Sequence, residues 1–202
     1  MLQKNNNLMK KFGRVLSYFL TKKLTRNTHL FNESNKEVYY AIDNIIKLSK
    51  NDILFLKEKA NNNERKRCRI CTHKDASDKV HEMFIVLAKD AYVRPHKHLN
   101  KCESLHILEG LVDVVIFDKD GKIVEVIKLG DYSSGNKFYY RISDPYFHTL
   151  LVRSNFLVFH EITNGPFNKT DTIFAPWAPD ENDNLSRGTY MEKLKTMLKN
   201  YA

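Results

Sequence analysis

From residue 66 onward the chain is a succession of short runs rich in β-branched and aromatic residues: HEMFIVLAK, YVRPHKH, ESLHILEG, LVDVVIFD, KIVEVIKL, KFYYRI, FHTLLVR and FLVFHEIT. They recur at roughly the 8–12-residue spacing of an all-β sandwich or barrel, where each strand must turn before its neighbour returns. DKDG over residues 118–121 supplies the turn chemistry between two of them. The pattern predicts a mainly β fold. A chain of 202 residues, 42% of them hydrophobic, is suited to one such core with appendages.

Helical patterns flank the β region. EVYYAI reads as a short strand after a linker over residues 27–36. SKNDILFLKEKA reads as a helix, with Ser49 and Asp52 at capping-box spacing. At the other end, TYMEKLKTMLKNY places Tyr190, Leu194, Met197, Leu198 and Tyr201 on one helical stripe. TNGPF and FAPWAP, with Pro166, Pro176 and Pro179, read as a strap across one end of the barrel with Trp177 packed on it. The expected divisions are an extension over 1–27, a strand–helix lead-in over 28–65, a barrel over 66–180 and a terminal helix over 181–202.

The formal charge of +9 resembles that of a nucleic-acid binder, but its distribution argues otherwise. Residues 1–26 carry seven Lys and Arg and no acid, which leaves +2 for the rest. A near-neutral body argues against a basic nucleic-acid face on the main domain. Within the basic segment, Leu8, Phe12, Val15, Leu16, Phe19 and Leu20 share one helical face. That face suits either docking on the body or a partner subunit, or peripheral contact with an anionic membrane through residues 8–24. Three cysteines without dense spacing fit a reducing cytoplasm. No apolar run approaches the ~20 residues that span a bilayer, and VLSYFL is too short for a signal peptide.

The chemistry concentrates in PHKHLNKCESLHILEG, residues 95–110. Strand alternation sends His96 and His98 to one side, with Tyr92 and Arg94. Four residues then allow a turn, and an antiparallel neighbour opening at Glu103 brings its carboxylate beside the imidazoles. His148, in YFHTLLV, is the candidate fourth ligand from a later strand. Three imidazoles and a carboxylate suit one divalent transition metal (Fe, Mn, Ni, Co or Zn) and leave one or two positions open. Alternation turns Cys102 and His106 to the opposite face. CRICTH has the opening spacing of a zinc site, but no second C-x-x-C follows, and a strand would point Cys68 and Cys71 apart. His81 and His160 either line the pocket or pack in the core. Tyr92, Arg94, Lys101, Tyr140, Arg141 and His160 are the candidate ligand-binding residues, with Arg94 or Arg141 suited to a carboxylate or phosphate.

The same stretch resembles the first motif of the cupin superfamily, whose H-x-H, Glu and later His hold a metal inside a small β-barrel. HEMFIVLAKDAYVRPHKH, GDYSSGNKFYYRI, FHEITNGPF and DTIFAPWAP resemble the WbuC family of cupin-fold metalloproteins, over roughly residues 37–180. The resemblance implies a cupin barrel (a double-stranded β-helix of jelly-roll type) with short helical ends and a metal at His96, His98, Glu103 and His148. It also implies a bacterial setting in surface-polysaccharide (O-antigen) biosynthesis, with a sugar or sugar nucleotide as small-molecule ligand. Isomerase, epimerase and oxygenase chemistry would each fit such a site. The other reading is a non-catalytic metal- or sugar-binding module recruited to a membrane or glycosyltransferase complex. The expected setting is cytoplasmic, either free or peripheral at the inner membrane, and a homodimer is compatible with it.

Overall fold

The computed structural model describes residues 31–201. The basic segment over residues 8–24 lies outside them. Two sheets form the body. The larger runs β1-β2-β3-β4-β11-β6-β9 and the smaller β12-β5-β10-β7-β8. The strands are β1 Phe31–Asn35, β2 Val38–Ala41, β3 Arg67–Cys71, β4 Val80–Ala88, β5 His96–His98 and β6 Glu103–Glu109, followed by β7 Leu111–Phe117, β8 Ile123–Gly130, β9 Tyr139–Ile142, β10 Phe147–Val152, β11 Phe156–Asn164 and β12 Thr172–Phe174. Helix α1 spans Lys50–Asn62 and α2 spans Asn184–Leu198. Strands β2 and β3 run parallel, and the other paired strands are antiparallel. This is the mainly β, two-sheet, jelly-roll type of barrel that the cupin resemblance implies.

Alternation explains where the core sits. Met83, Ile85 and Leu87 of β4, Leu157 and Phe159 of β11, and Leu105 and Ile107 of β6 face inward from the larger sheet. They meet Val112, Val114 and Ile116 of β7 and Leu150 and Val152 of β10. The intervening residues face outward, and a helix covers each outer face. Phe55, Leu56 and Ala60 of α1 pack on Cys68, Ile70, Val86 and Val158. Met191, Leu194 and Leu198 of α2 pack on Val115, Phe117, Phe147 and Leu151. Strand β7 is therefore buried on both sides, which is why LVDVVIF shows no alternation.

Helix α1 starts as its sequence predicts: Ser49 N–H donates to Asp52 Oδ2 at 2.7 Å. Three expectations differ. Residues 31–35, read as linker, form β1 and pair with β2. FNESN is a mostly exposed edge strand, so no buried face marks it in the sequence. With β2, it adds two strands to one edge of the larger sheet. YVRPHKH is a strand only from His96, and Tyr92 leaves the expected line to pack under α2. The buried stripe of α2 is Met191, Leu194 and Leu198, while Met197 and Tyr201 are exposed. The strap does pack: Trp177 lies against Phe117 and Phe147, and its Nε1 donates to the Lys119 carbonyl at 3.2 Å. No helix among the described residues is long and apolar enough to cross a membrane.

Candidate metal centre

His96 and His148 are cross-strand partners on β5 and β10 of the smaller sheet. His98 lies two residues along β5, on the same face. The chain then crosses between sheets over residues 99–102, with Asn100 left-handed at φ 58°. Asn164 clamps this crossover: its Oδ1 accepts from Cys102 N–H at 2.8 Å and its Nδ2 donates to the Asn100 carbonyl at 3.2 Å. Glu103 thus faces the imidazoles from β6 of the opposite sheet, not from an antiparallel neighbour of β5. The register predicted its approach but not its side.

One ligand atom from each of His96, His98, Glu103 and His148 can be chosen so that all lie within 4.8 Å of one another. The imidazoles are held from behind. His96 Nδ1 donates to the Arg94 carbonyl at 2.8 Å, and His148 Nδ1 to the Tyr146 carbonyl at 3.0 Å. A carbonyl only accepts, so in the neutral rings the proton sits on Nδ1 and the Nε2 lone pair is left for the centre. His98 Nδ1 faces Thr172 Oγ1 at 3.2 Å. On the inner side His98 Nε2 is 3.1 Å from Glu103 Oε2. His148 Nε2 is buried, 3.5 Å from Glu103 Oε1 and otherwise without a partner. Tyr140 donates its hydroxyl to Glu103 Oε1 at 3.2 Å.

The protonation states follow from burial and charge. Burial, then the neighbouring His148, pushes His96 down to about 3, so it is neutral at physiological pH. Burial would raise Glu103, but hydrogen bonds from His148 and His98 outweigh it and hold the carboxyl well below its usual range. Burial lowers His148, but Glu103 outweighs it and raises that imidazole. A neutral His96 beside an ionised Glu103 is a donor pair for a divalent cation, which would take the place of the proton that His148 shares with Glu103. The mixed N/O donor set fits Fe, Mn, Co, Ni or Zn.

These ligands line one part of a cavity of about 800 Å³ that extends along the inner face of β3, β4 and β11. Of the candidate ligand-binding residues, Arg94 and Lys101 line it. Arg94 Nη1 donates to Asp180 at 2.7 Å, and Lys101 lies over the Phe167 ring at 5.2 Å. Tyr140 reaches Glu103 rather than open space. Three others do not reach the cavity. Tyr92 is buried under α2, with its hydroxyl donating to the Pro179 carbonyl at 3.0 Å, because the chain before Pro95 is not a strand. Arg141 is exposed and donates to Ser143 Oγ at 3.3 Å, on the face of β9 opposite Tyr140. His160 stacks on Phe84 on the outer face of the larger sheet. His106 also points outward, against Phe138, as alternation predicts.

Several cavity residues escaped the sequence reading. Glu161 follows Leu157 and Phe159 on the inward register of β11, and a carboxylate in that alternation was the available signal. Burial, then the Glu103 charge, pushes its carboxyl up to about 8. At the rim, Arg65 and Arg67 are both ion-paired with Glu37 and with Glu181. Arg69, Thr163 and His73 complete the wall. His73 stacks, at 4.1 Å between ring centroids, on His81, whose sequence position suits either pocket or core and which lines the cavity.

A family profile described as a domain of unknown function (DUF6016) matches residues 48–129. No curated protein matches the sequence. Among solved structures, a structural-genomics protein from Shewanella oneidensis is 10% identical with a TM-score of 0.44, covering 61% of this chain and 77% of its own. CapF, solved with 3-isopropenyl-tropolone, is 16% identical with a TM-score of 0.46, covering 56% of this chain and 32% of its own. A variant of Bacillus subtilis oxalate decarboxylase is 18% identical with a TM-score of 0.40, covering 48% of this chain and 24% of its own. The chain therefore spans about a third of CapF and a quarter of oxalate decarboxylase.

Proposed function

We propose that the chain is a metal-dependent, cupin-type protein that acts on a small polar or anionic molecule inside the barrel. The observation that carries this reading is the convergence of His96, His98, Glu103 and His148, with the His96 and His148 Nδ1 atoms spent on backbone carbonyls. A divalent ion held there would act as a Lewis acid on ligand oxygens at its open positions. The remaining chemistry belongs to the chain. Tyr140 fixes the Glu103 carboxylate, the Nδ1 bonds fix the rings, and Glu161 holds a proton near the centre. Lys101 gives the cavity positive charge for an anionic ligand, while Arg94 is paired with Asp180 at its edge. A sugar or sugar nucleotide of surface-polysaccharide synthesis is the narrower reading, and the WbuC resemblance is what supports it.

Elemental analysis of the purified wild type beside His96→Ala and His148→Ala tests the centre. The expected result is about one transition metal per wild-type chain and its loss from His96→Ala. A metal-free wild type after chelator-free, anaerobic purification overturns the reading. Retention of metal by His148→Ala removes that residue alone from the ligand set.

A further inference from the structure

The outer face of the larger sheet is only partly covered. Helix α1 packs on Cys68, Ile70, Val86 and Val158, toward β3 and one end of β4 and β11. Beyond it, the registers align two outward rows across β4, β11, β6 and β9. One row is Phe84, His160, His106 and Tyr139, and the next is Glu82, Ile162, Ser104 and Arg141. His160 stacks on Phe84, and Phe138 packs against both His106 and Tyr132. Leu108, Tyr132, Phe138, Tyr139 and Ile162 are 36–82% exposed. At ~200 Å² for a large side chain, these five leave on the order of 500 Å² open, as much as the largest patch on an ordinary monomer. The half-buried Phe84 and His160 and the charged ends of the second row bring the face toward the ~800 Å² that each partner gives to a stable dimer.

The charges decide what fits there. Glu82 stands at the β4 end of its row and Arg141 at the β9 end, three strands or about 14 Å apart. Among the described residues, neither meets a side chain of opposite fixed charge. Glu82 has the His160 ring at 3.7 Å, and Arg141 donates to Ser143 Oγ at 3.3 Å. A face with a carboxylate at one end, a guanidinium at the other and an aromatic centre is complementary to itself. A twofold axis along the strands, between β11 and β6, reverses the strand order and sets β4 of one copy against β9 of the other. Glu82 then meets Arg141 twice, Phe84 meets Tyr139, and His160 meets His106.

We propose that two copies of the chain pair through this face, in an isologous contact that joins Glu82 of each copy to Arg141 of the other around the aromatic row. The face lies on the side of the sheet opposite the metal ligands, so the pairing does not depend on the ion.

Sedimentation equilibrium of the full chain from about 1 to 100 μM tests the contact. The wild type is expected to be a dimer that dissociates on dilution. Arg141→Glu would set carboxylate against carboxylate, and Glu82→Arg guanidinium against guanidinium, so each should weaken pairing about tenfold or more. Both side chains reach solvent, so charge reversal leaves the core intact, and a melting curve on each variant checks this. The double variant Glu82→Arg/Arg141→Glu should recover pairing, and so should an equimolar mixture of the two single variants, because every contact again joins opposite charges. A wild type that stays monomeric throughout overturns the proposal. A dimer indifferent to both single reversals, or single variants that neither the double change nor mixing rescues, overturns it as well.

Discussion

Replacing Tyr140 by phenylalanine removes one oxygen atom and tests whether the centre is held in place by its surroundings. Tyr140 is 8% exposed, and its hydroxyl donates to Glu103 Oε1 at 3.2 Å. A phenylalanine ring fills the same space, so the packing change is small. What goes is one hydrogen bond to a buried charged acceptor, about 1.5–3 kcal/mol. Glu103 keeps its contacts with His98 and His148, which places the loss toward the lower end of that range. The metal-free chain should therefore lose about 1.5–2 kcal/mol and melt several degrees lower. Metal affinity should fall about 10–100-fold, the usual result of removing a group that orients a metal ligand. Burial and the Glu103 charge raise the Tyr140 phenol well above its ordinary value. The hydroxyl therefore stays protonated and donating, and the deficit should be flat between about pH 6 and 9. Chelator competition gives the affinity, and urea unfolding of the metal-free protein gives the stability. A Tyr140→Phe variant with wild-type affinity and an unchanged urea midpoint would refute the positioning role.

Other consequences are independent of the ligand. Gly121 has φ +86°, and a Cβ there would lie 2.8 Å from the Trp177 ring, so Gly121→Ala should destabilise by about 1–3 kcal/mol in urea unfolding; an unchanged midpoint would remove Trp177 from that contact. Cys68 and Cys71 are 1% exposed, and burial pushes the Cys68 thiol up to about 12 and raises Cys71. A thiol reagent near pH 8 should label Cys102 alone in the native protein and all three cysteines in urea, while native labelling at Cys68 would contradict the packing of α1. The Glu161 carboxyl, at about 8 in the fold, would sit near ~4.3 when unfolded. Its contribution is complete below the unfolded value and is lost as pH rises through the folded one, so the metal-free wild type should weaken across that window. Glu161→Gln should flatten the loss, which urea unfolding as a function of pH would show; parallel curves would place Glu161 in solvent.

The sequence shows most clearly what alternation controls. His96 and His98 are two residues apart on a strand, so their shared face needs nothing but the strand. The outward aim of His106 and the opposed Cys68 and Cys71 follow in the same way. The failures begin where a segment is not a strand. Tyr92 and Arg94 precede Pro95, and the chain there is irregular, so period two carries Tyr92 to the wrong side. Strand β1 was invisible because an exposed polar edge has no buried face to mark it. Glu161 was legible in principle, since FLVFHEIT puts it in line with Leu157 and Phe159. Arg69 was not, because RCRIC buries Cys68 and Ile70 under a helix and turns its arginines to the cavity face, the reverse of what an apolar-in alternation suggests.

The division of the ligands between the sheets gives the centre a structural consequence. His96, His98 and His148 come from the smaller sheet, and Glu103 comes from the larger. Within each sheet, backbone hydrogen bonds fix the strands. Between the sheets, at this end of the barrel, polar residues replace the apolar contacts that join them deeper in. Without an ion, the junction depends on the His98–Glu103 contact at 3.1 Å and the weaker approach of His148. A bound cation would join the two sheets by bonds far stronger than either contact. Asn164, clamping the crossover over residues 99–102, holds Glu103 in reach before any ion arrives. Because three donors come from one sheet and one from the other, a cation bound there would join the sheets, and metal binding should stabilise this junction.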